Sequence, residues 1–181
     1  TALQSEVDRL AAGVQNQDVR RLRREADALR PSAGLTPVTG SALRITLSDA
    51  PAEVINSSTQ PIKRMIVHQQ DIQAVVNALW TGGATGITVQ GQRIITTTGI
   101  KCEGNAVQLD GVPYGQPYVI VAVGDLAQLA GALDADAYVQ TYISDGHLPD
   151  VAVGWELEPI ESITLPGYTG LRDLRYAEVV G

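Results

Sequence analysis

Apolar residues recur with a helical period in three places. In "IVHQQDIQAVVNALW", Ile72, Val75, Val76, Leu79 and Trp80 fall at i, i+3, i+4, i+7 and i+8, which predicts a helix with one buried stripe. Asp71 stands in its first turn, where the helix dipole favours an anion. Beyond "PYVIVAVG", Leu126, Leu129, Ala130 and Leu133 form a second stripe with Asp125 as N-cap. The third place is the start of the chain. Leu3, Val7, Leu10 and Val14 step by four, three and four, as a coiled-coil seam does, and Leu22, Ala26 and Leu29 resume it after an eight-residue gap. Residues 1–30 therefore read as one long helix, about 40 Å at the usual rise, that associates with itself. An amphipathic helix lying on its own domain is the alternative.

Other stretches alternate. "ALRITLS" puts Leu43, Ile45 and Leu47 on one face and predicts a half-buried strand after a linker, "PSAGLTPVTGS" (31–41). "DAPAEVINSSTQPIK" reads as a surface loop. "ITVQGQRIITT" reads as a hairpin in which "QGQR" turns Ile87–Gln90 back into Gln92–Thr98, "EGN" (103–105) separates the next pair, and Asp110-Gly111 signals a turn between "AVQL" and "VPY". The unbroken apolar run 117–124 predicts a central strand buried on both faces. "VAVGWELE", "IESITLPGY" and "LRYAEVV" read as further strands. "AYVQTYISDG" suits either period and is read as a helix on Tyr138, Val139, Tyr142 and Ile143.

The densest glycine run, "WTGGATG", follows a helix and precedes a strand. A phosphate-cradling loop needs the reverse order, because the phosphate sits on the N-terminus of the following helix. Gly82 or Gly83 is instead expected to close the helix in a left-handed conformation.

Composition narrows the function. The net charge of −7 opposes general nucleic-acid binding, and residues 124–181 carry ten acids against Arg172 and Arg175. With no Phe, the core must be aliphatic. No apolar run reaches the roughly 18 residues of a membrane span. The chain opens at Thr1 inside a helical pattern, which suggests a fragment whose missing start held an anchor.

Candidate chemistry is sparse. Cys102 with His68 or His147, and Asp71 as orienter, would make a thiol hydrolase. Cys102 lies in an alternating stretch, however, and is expected to be a small buried residue. Asp134, Asp136, Asp145 and Asp150 would suit a cation, but Tyr138 and Val139 occupy positions where a calcium loop needs oxygen and glycine. A solvated acidic surface is the expected reading, with no metal and no cofactor.

From "GLTPVTGSALRITLSDAP" through "VHQQDIQAVVNALWTGGATGITVQGQRI" to "ITLPGYTGLRDLRYA", the sequence resembles the YlxW/YlxX-like, division-initiation-like family, domain of unknown function 881, of Gram-positive bacteria and actinobacteria. The motif comprises Asp71, Asn77-Ala-Leu-Trp80, Gly82, Gly83 and Gly91-Gln92-Arg93. The resemblance implies a single N-terminal membrane anchor, a coiled-coil stalk and a ferredoxin-like domain outside the cytoplasmic membrane. The expected fold class is α+β: a helical stalk (1–30), a linker (31–41) and a ferredoxin-like α/β sandwich (42–181). The expected function is a non-catalytic interaction module in cell-envelope or division assembly, with envelope proteins or a second copy as partners and no nucleic acid. A small-ligand sensor with a pocket beside the sheet is the alternative.

Overall fold

The computed structural model describes residues 17–104 and 106–170. Its centre is strand β1 (Val38–Ser48), which pairs antiparallel with β7 (Tyr118–Val123) on one side and β8 (Gly154–Leu165) on the other. Strands β2 (Gly86–Val89) and β3 (Gln92–Ile94) extend the sheet beyond β7, giving the order β3-β2-β7-β1-β8. The apolar run 118–123 thus occupies the middle of the sheet, as its lack of alternation predicts. A second antiparallel sheet, β4 (Ile100–Glu103), β5 (Ala106–Leu109) and β6 (Val112–Tyr114), stands beside the first.

Helix α1 (Gln17–Leu29) precedes β1, and a short α2 (Ala52–Ser57) lies in the stretch read as a loop. Helix α3 (Gln69–Thr81) connects β1 to β2; α4 (Leu126–Ala135) and α5 (Ala137–Gly146) connect β7 to β8. The apolar stripe of α3 buries Ile72, Val75, Val76 and Leu79 against Ile45, Leu47, Ile87 and Ile120 of the sheet. Leu129 and Leu133 of α4, Val139 and Tyr142 of α5, and Ile100, Val107 and Leu109 of the second sheet join the same core. Asp125 caps α4 by accepting from Gln128 N–H at 2.9 Å. Asp136 caps α5 by accepting from Tyr138 and Val139 N–H.

The other face of the main sheet has its own cover. The register of β1 against β8 shifts between Gly40 and Ala42, a bulge that bends the ribbon. Its outer end, with Val38, Ile163 and Leu165, then packs over Ala42, Val121 and Val123. Gly86 permits this: a Cβ there would stand 2.5 Å from Val38 Cγ1.

The sequence expectations need four corrections. The stalk followed by a ferredoxin-like sandwich is replaced by a mixed α/β fold with a short N-terminal helix and two antiparallel sheets. Helix α1 has thirteen residues and buries none of them. Leu22 and Leu29, expected in a seam, are 55% and 65% exposed. The physical reason is the lack of cover: the stripe of Leu22, Ala26 and Leu29 meets no described element that buries it, and along the charged side Arg21 pairs with Asp18 at 3.6 Å and Glu25 at 3.1 Å. The seam positions Leu3, Val7, Leu10 and Val14 lie outside the described residues, as does "LRYAEVV".

Second, β1 begins at Val38, inside the stretch read as linker. Third, the two strands read at 151–168 are one strand of twelve residues, and Pro159 is tolerated because β8 is a sheet edge. Fourth, Cys102 is exposed rather than buried. Alternation aims it with Ile100, but β4 runs out past the core, so Ile100 alone of its four residues is buried.

Candidate functional site

Two concave regions flank α3, one at each end. The first gathers around its N-terminus. Asp71 is 8% exposed, and both of its oxygens are occupied. Oδ2 accepts from His68 N–H at 2.6 Å, closing the first turn, and Oδ1 accepts from Tyr138 O–H at 2.9 Å. His68 sits at the N-cap, its Nε2 3.0 Å from Lys63 O. Arg64 and Asp145 bridge at 2.6 Å across the rim, and Tyr142 O–H donates to Gly154 O at 3.1 Å. These groups border a cavity of about 200 Å³.

Burial raises the pKa of the Asp71 carboxyl above the usual carboxylate value, although its hydrogen bonds oppose the shift. Burial, then the neighbouring Asp71, pushes the Tyr138 phenol up to about 12. Tyr142 is also raised, first by burial and then by Asp71 and Asp49. The cluster can hold protons, but its donors and acceptors are already matched to one another.

The second region lies at the C-terminal half of α3. Here the helix stops as the glycines require. Gly82 N–H donates to Ala78 O at 2.8 Å and Gly83 N–H to Trp80 O at 3.1 Å, with Gly83 at φ +82. Gly82 cannot gain a Cβ either, since that atom would stand 2.9 Å from Ala132 Cβ and Gln128 O of α4. Gln90-Gly91 makes the β2–β3 turn with both φ values positive.

Trp80 projects between these elements and the loop that follows β3. That loop is closed on itself: Ile95 N–H donates to Thr98 Oγ1 and Thr98 N–H to Ile95 O, each at 3.0 Å. Two adjoining grooves share Trp80, Ile94, Ile95 and Thr96 as walls. One, of about 330 Å³, continues along Val76 and Asn77 of α3. The other, of about 380 Å³, runs under the turn Pro31–Gly34 to Thr85 and Arg93.

Arg93 is 6% exposed and lies on the second face of the sheet, opposite Thr88 of β2. Its guanidinium donates to three carbonyls, Pro166 O at 3.0 Å, Thr85 O at 3.3 Å and Thr36 O at 3.4 Å. No carboxylate among the described residues pairs with it, and its Nε has no partner. Burial lowers its pKa from the ordinary arginine value. The residue ties the linker, the end of β8 and the start of β2 together.

The structure therefore distributes the sequence motif over both ends of one helix. Asp71 belongs to the first region; Asn77, Trp80 and Arg93 line the second. Gly82, Gly83 and Gly91 are turn formers. Leu22 and Leu29 join neither. The four aspartates read as an acidic surface disperse: Asp134 is exposed on α4, Asp136 caps α5, Asp145 pairs with Arg64, and Asp150 accepts from Gln60 at 2.8 Å.

Sequence reading missed Ile95, Thr85 and Gly34 as groove walls, and Tyr138 as the partner of Asp71. The first three come from separate segments that meet around Arg93, with Gly34 also against Ile95, and no local pattern joins them. Cys102 Sγ accepts from Gln69 N–H at 3.2 Å, and Cys102 N–H donates to Gln69 Oε1 at 2.6 Å, while the His68 ring lies against Lys63 O.

Residues 25–178 match the family model described as bacterial protein of unknown function (DUF881). The chain is 30% identical over 167 residues to the UPF0749 protein Rv1823 of Mycobacterium tuberculosis, an alignment covering 89% of this chain and 53% of that protein. It is 32% identical over 128 residues to the UPF0749 protein YlxW of Bacillus subtilis, covering 68% of this chain and 52% of that one. The chain thus spans about half the length of the curated relatives it matches. A crystal structure of an uncharacterized conserved protein from Mycobacterium tuberculosis aligns with a TM-score of 0.61 at 20% identity, over 87% of this chain and 99% of that one, which shows the shared fold. With the family model covering most of its length and relatives at this identity, the chain belongs to the YlxW-like DUF881 family of bacterial proteins.

Proposed function

We propose that the chain is a non-catalytic recognition module serving cell-envelope or cell-division assembly, and that it acts by binding in the grooves beside Trp80. The observation that carries this reading is the pair of grooves that meet at Trp80, Ile94 and Ile95, one of them largely apolar and reaching a buried arginine. A concave, largely apolar surface with a few convergent polar groups is what a binding site requires. The contacts of Cys102 and the closed hydrogen bonding of the Asp71 cluster support binding over chemistry.

The envelope setting, with an N-terminal anchor in the full-length protein and this domain outside the cytoplasmic membrane, rests on the resemblance to the division-initiation-like family. A β-lactamase fused after this domain in the full-length protein should then confer ampicillin resistance. Sensitivity, with the fusion intact and active in extracts, would place the domain inside.

A second reading is favoured by one observation. The groove under Pro31–Gly34 is partly roofed and of small-molecule size, which fits a ligand sensor better than a flat protein interface. Thr96 is exposed and borders both grooves, so Thr96→Trp fills them without disturbing the core. A strain carrying T96W in the full-length gene should show the deletion phenotype at normal protein level. Full complementation by T96W would remove the grooves from the function.

A further inference from the structure

Arg93 is a peculiar anchor if its only task is structural. A buried guanidinium is normally met by a carboxylate through two parallel hydrogen bonds, and a buried charge without one is costly. Here the acceptors are carbonyls, two of them at 3.3 Å or more, and Nε has none. Among the described residues it is the one buried side-chain nitrogen or oxygen left so.

The unoccupied edge has a direction. Nε and Nη2 form the side-on fork of a guanidinium, and Nη2 holds a single bond, to Thr85 O. Both atoms lie near Gly34: a Cβ there would stand 3.7 Å from Nη2 and 4.0 Å from Nε. Gly34 itself lines the groove of about 380 Å³, and its φ of +72 keeps other residues away from this position. Nε itself is sealed, since Ile95 Cγ2 also closes on Gly34 and would stand 2.7 Å from a Cβ there; Arg93 nevertheless lines the groove, and Nη2, with its single bond, keeps a hydrogen to donate.

We propose that this groove takes a small amphiphilic carboxylate, with the carboxylate on Nη2 of Arg93 and the apolar chain along Ile95 and Trp80. The inference rests on the grooves being the binding surface. Charge selects the head group. One guanidinium and the Thr97 hydroxyl suit a monoanion, whereas a phosphate or nucleotide would meet a protein of net charge −7 with Arg93 as the cation in the groove lining. Size selects the body. The volume lies at the low end of the roughly 300–1,000 Å³ of small-molecule sites, and the adjoining groove extends it past Trp80. A medium-chain aliphatic acid fits both limits.

The test uses the purified chain carrying Trp155→Phe, so that fluorescence reports Trp80 alone, titrated with octanoate, 1-octanol and octylamine. Octanoate should shift the Trp80 emission, raise the melting temperature and bind at least tenfold tighter than octanol. Thr96→Glu, which sets a negative charge on the exposed rim, should weaken octanoate at least tenfold more than it weakens octanol. Arg93→Lys should reduce the preference for octanoate over octanol. Should that variant unfold, T96E still decides the matter.

Equal binding of octanoate and octanol would overturn the carboxylate assignment and leave the groove reading intact. Silence of all three probes would overturn both. If a short peptide ending in Leu-Leu with a free carboxylate binds tighter than octanoate while its amide does not, the ligand is a chain terminus and the small-acid assignment is wrong.

Discussion

At the N-terminal end of α3 a buried acid has both oxygens occupied, and beside the C-terminal end a buried base keeps one nitrogen unmet. Asp71 and Arg93 are comparably buried, at 8% and 6% exposure, and each is desolvated enough to shift toward its neutral form. Their surroundings differ. The acid is held by a backbone N–H and a phenol that fit it, within an element it helps to start. The base is held by carbonyls from three separate segments and borders open space. A closed polar network specifies a fold, whereas an open one beside a groove has capacity left for a ligand.

The sharpest way to break this contrast is to remove the acid. Asp71→Ala takes the first-turn acceptor from His68 N–H and the partner from Tyr138, both in a poorly solvated place. The expected loss is about 3 kcal/mol of unfolding free energy, combining a lost cap with an unmet buried donor. Urea denaturation measures it. A loss below about 1 kcal/mol would mean that water already serves these donors and that the cluster is open after all.

The glycine terminator comes next. Gly83 has φ +82, and a β-branched residue there is strained although the nearest atom a Cβ would meet is 3.7 Å away. Gly83→Val should cost about 1–2 kcal/mol through the backbone alone. Because the end of α3 positions Trp80, its emission should shift as well. A normal melting temperature would show that the helix end is not fixed by this conformation.

The acid also leaves a signature in pH. The folded-state pKa of Asp71 is raised above the unfolded value near 3.8, chiefly by burial. The folded protein therefore holds this proton more tightly than the unfolded chain. The stabilisation is fully present below the unfolded pKa and is lost as pH rises through the folded one. Asp71→Asn, which keeps an acceptor for His68 N–H and cannot ionise, should flatten that part of the profile. The difference between wild type and D71N, measured by denaturation from pH 3 to 7, should grow with pH in the variant's favour. A difference that shrinks over that range would mean the carboxylate is stabilised in the fold.

How legible all this was in the sequence varies by element. Helix α3, the central strand β7, the β2–β3 hairpin and the turn at Asp110-Gly111 followed from local period and turn chemistry, which act over a few residues, although β2 stops at Val89 and β3 at Ile94, short of the Gln90 and Thr98 expected. The second sheet did not, because nothing local separates Ile94 from Ile100 as members of different sheets. The coiled-coil reading misled for a related reason. A four-three step marks an apolar stripe but not whether anything covers it, and Leu22 and Leu29 face solvent. Trp80 and Arg93 stood out as motif residues, but their meeting needs the β1–β8 ribbon to bend at Ser41 and bring Pro166 and Thr36 over Arg93. That long-range closure has no periodic trace.

The smallest expected effect separates binding from catalysis most directly. Cys102 is exposed, so iodoacetamide should alkylate it in the native protein, contrary to what a buried strand position suggests. Its Sγ accepts from Gln69 N–H, while the His68 ring lies against Lys63 O. With no imidazole or cation bonded to the sulphur among the described residues, alkylation should be no faster than that of a small free thiol such as glutathione. Cys102→Ser keeps an acceptor for Gln69 N–H, and stability should change by less than about 0.5 kcal/mol, as for most surface substitutions. Octanoate binding should be unchanged, since Cys102 lies by the opposite end of α3 from Trp80. Alkylation a hundredfold faster than glutathione would require an activating partner that this geometry lacks. A C102S strain with the deletion phenotype, at normal protein level, would move the function from the groove to the thiol and reverse the assignment of the two ends.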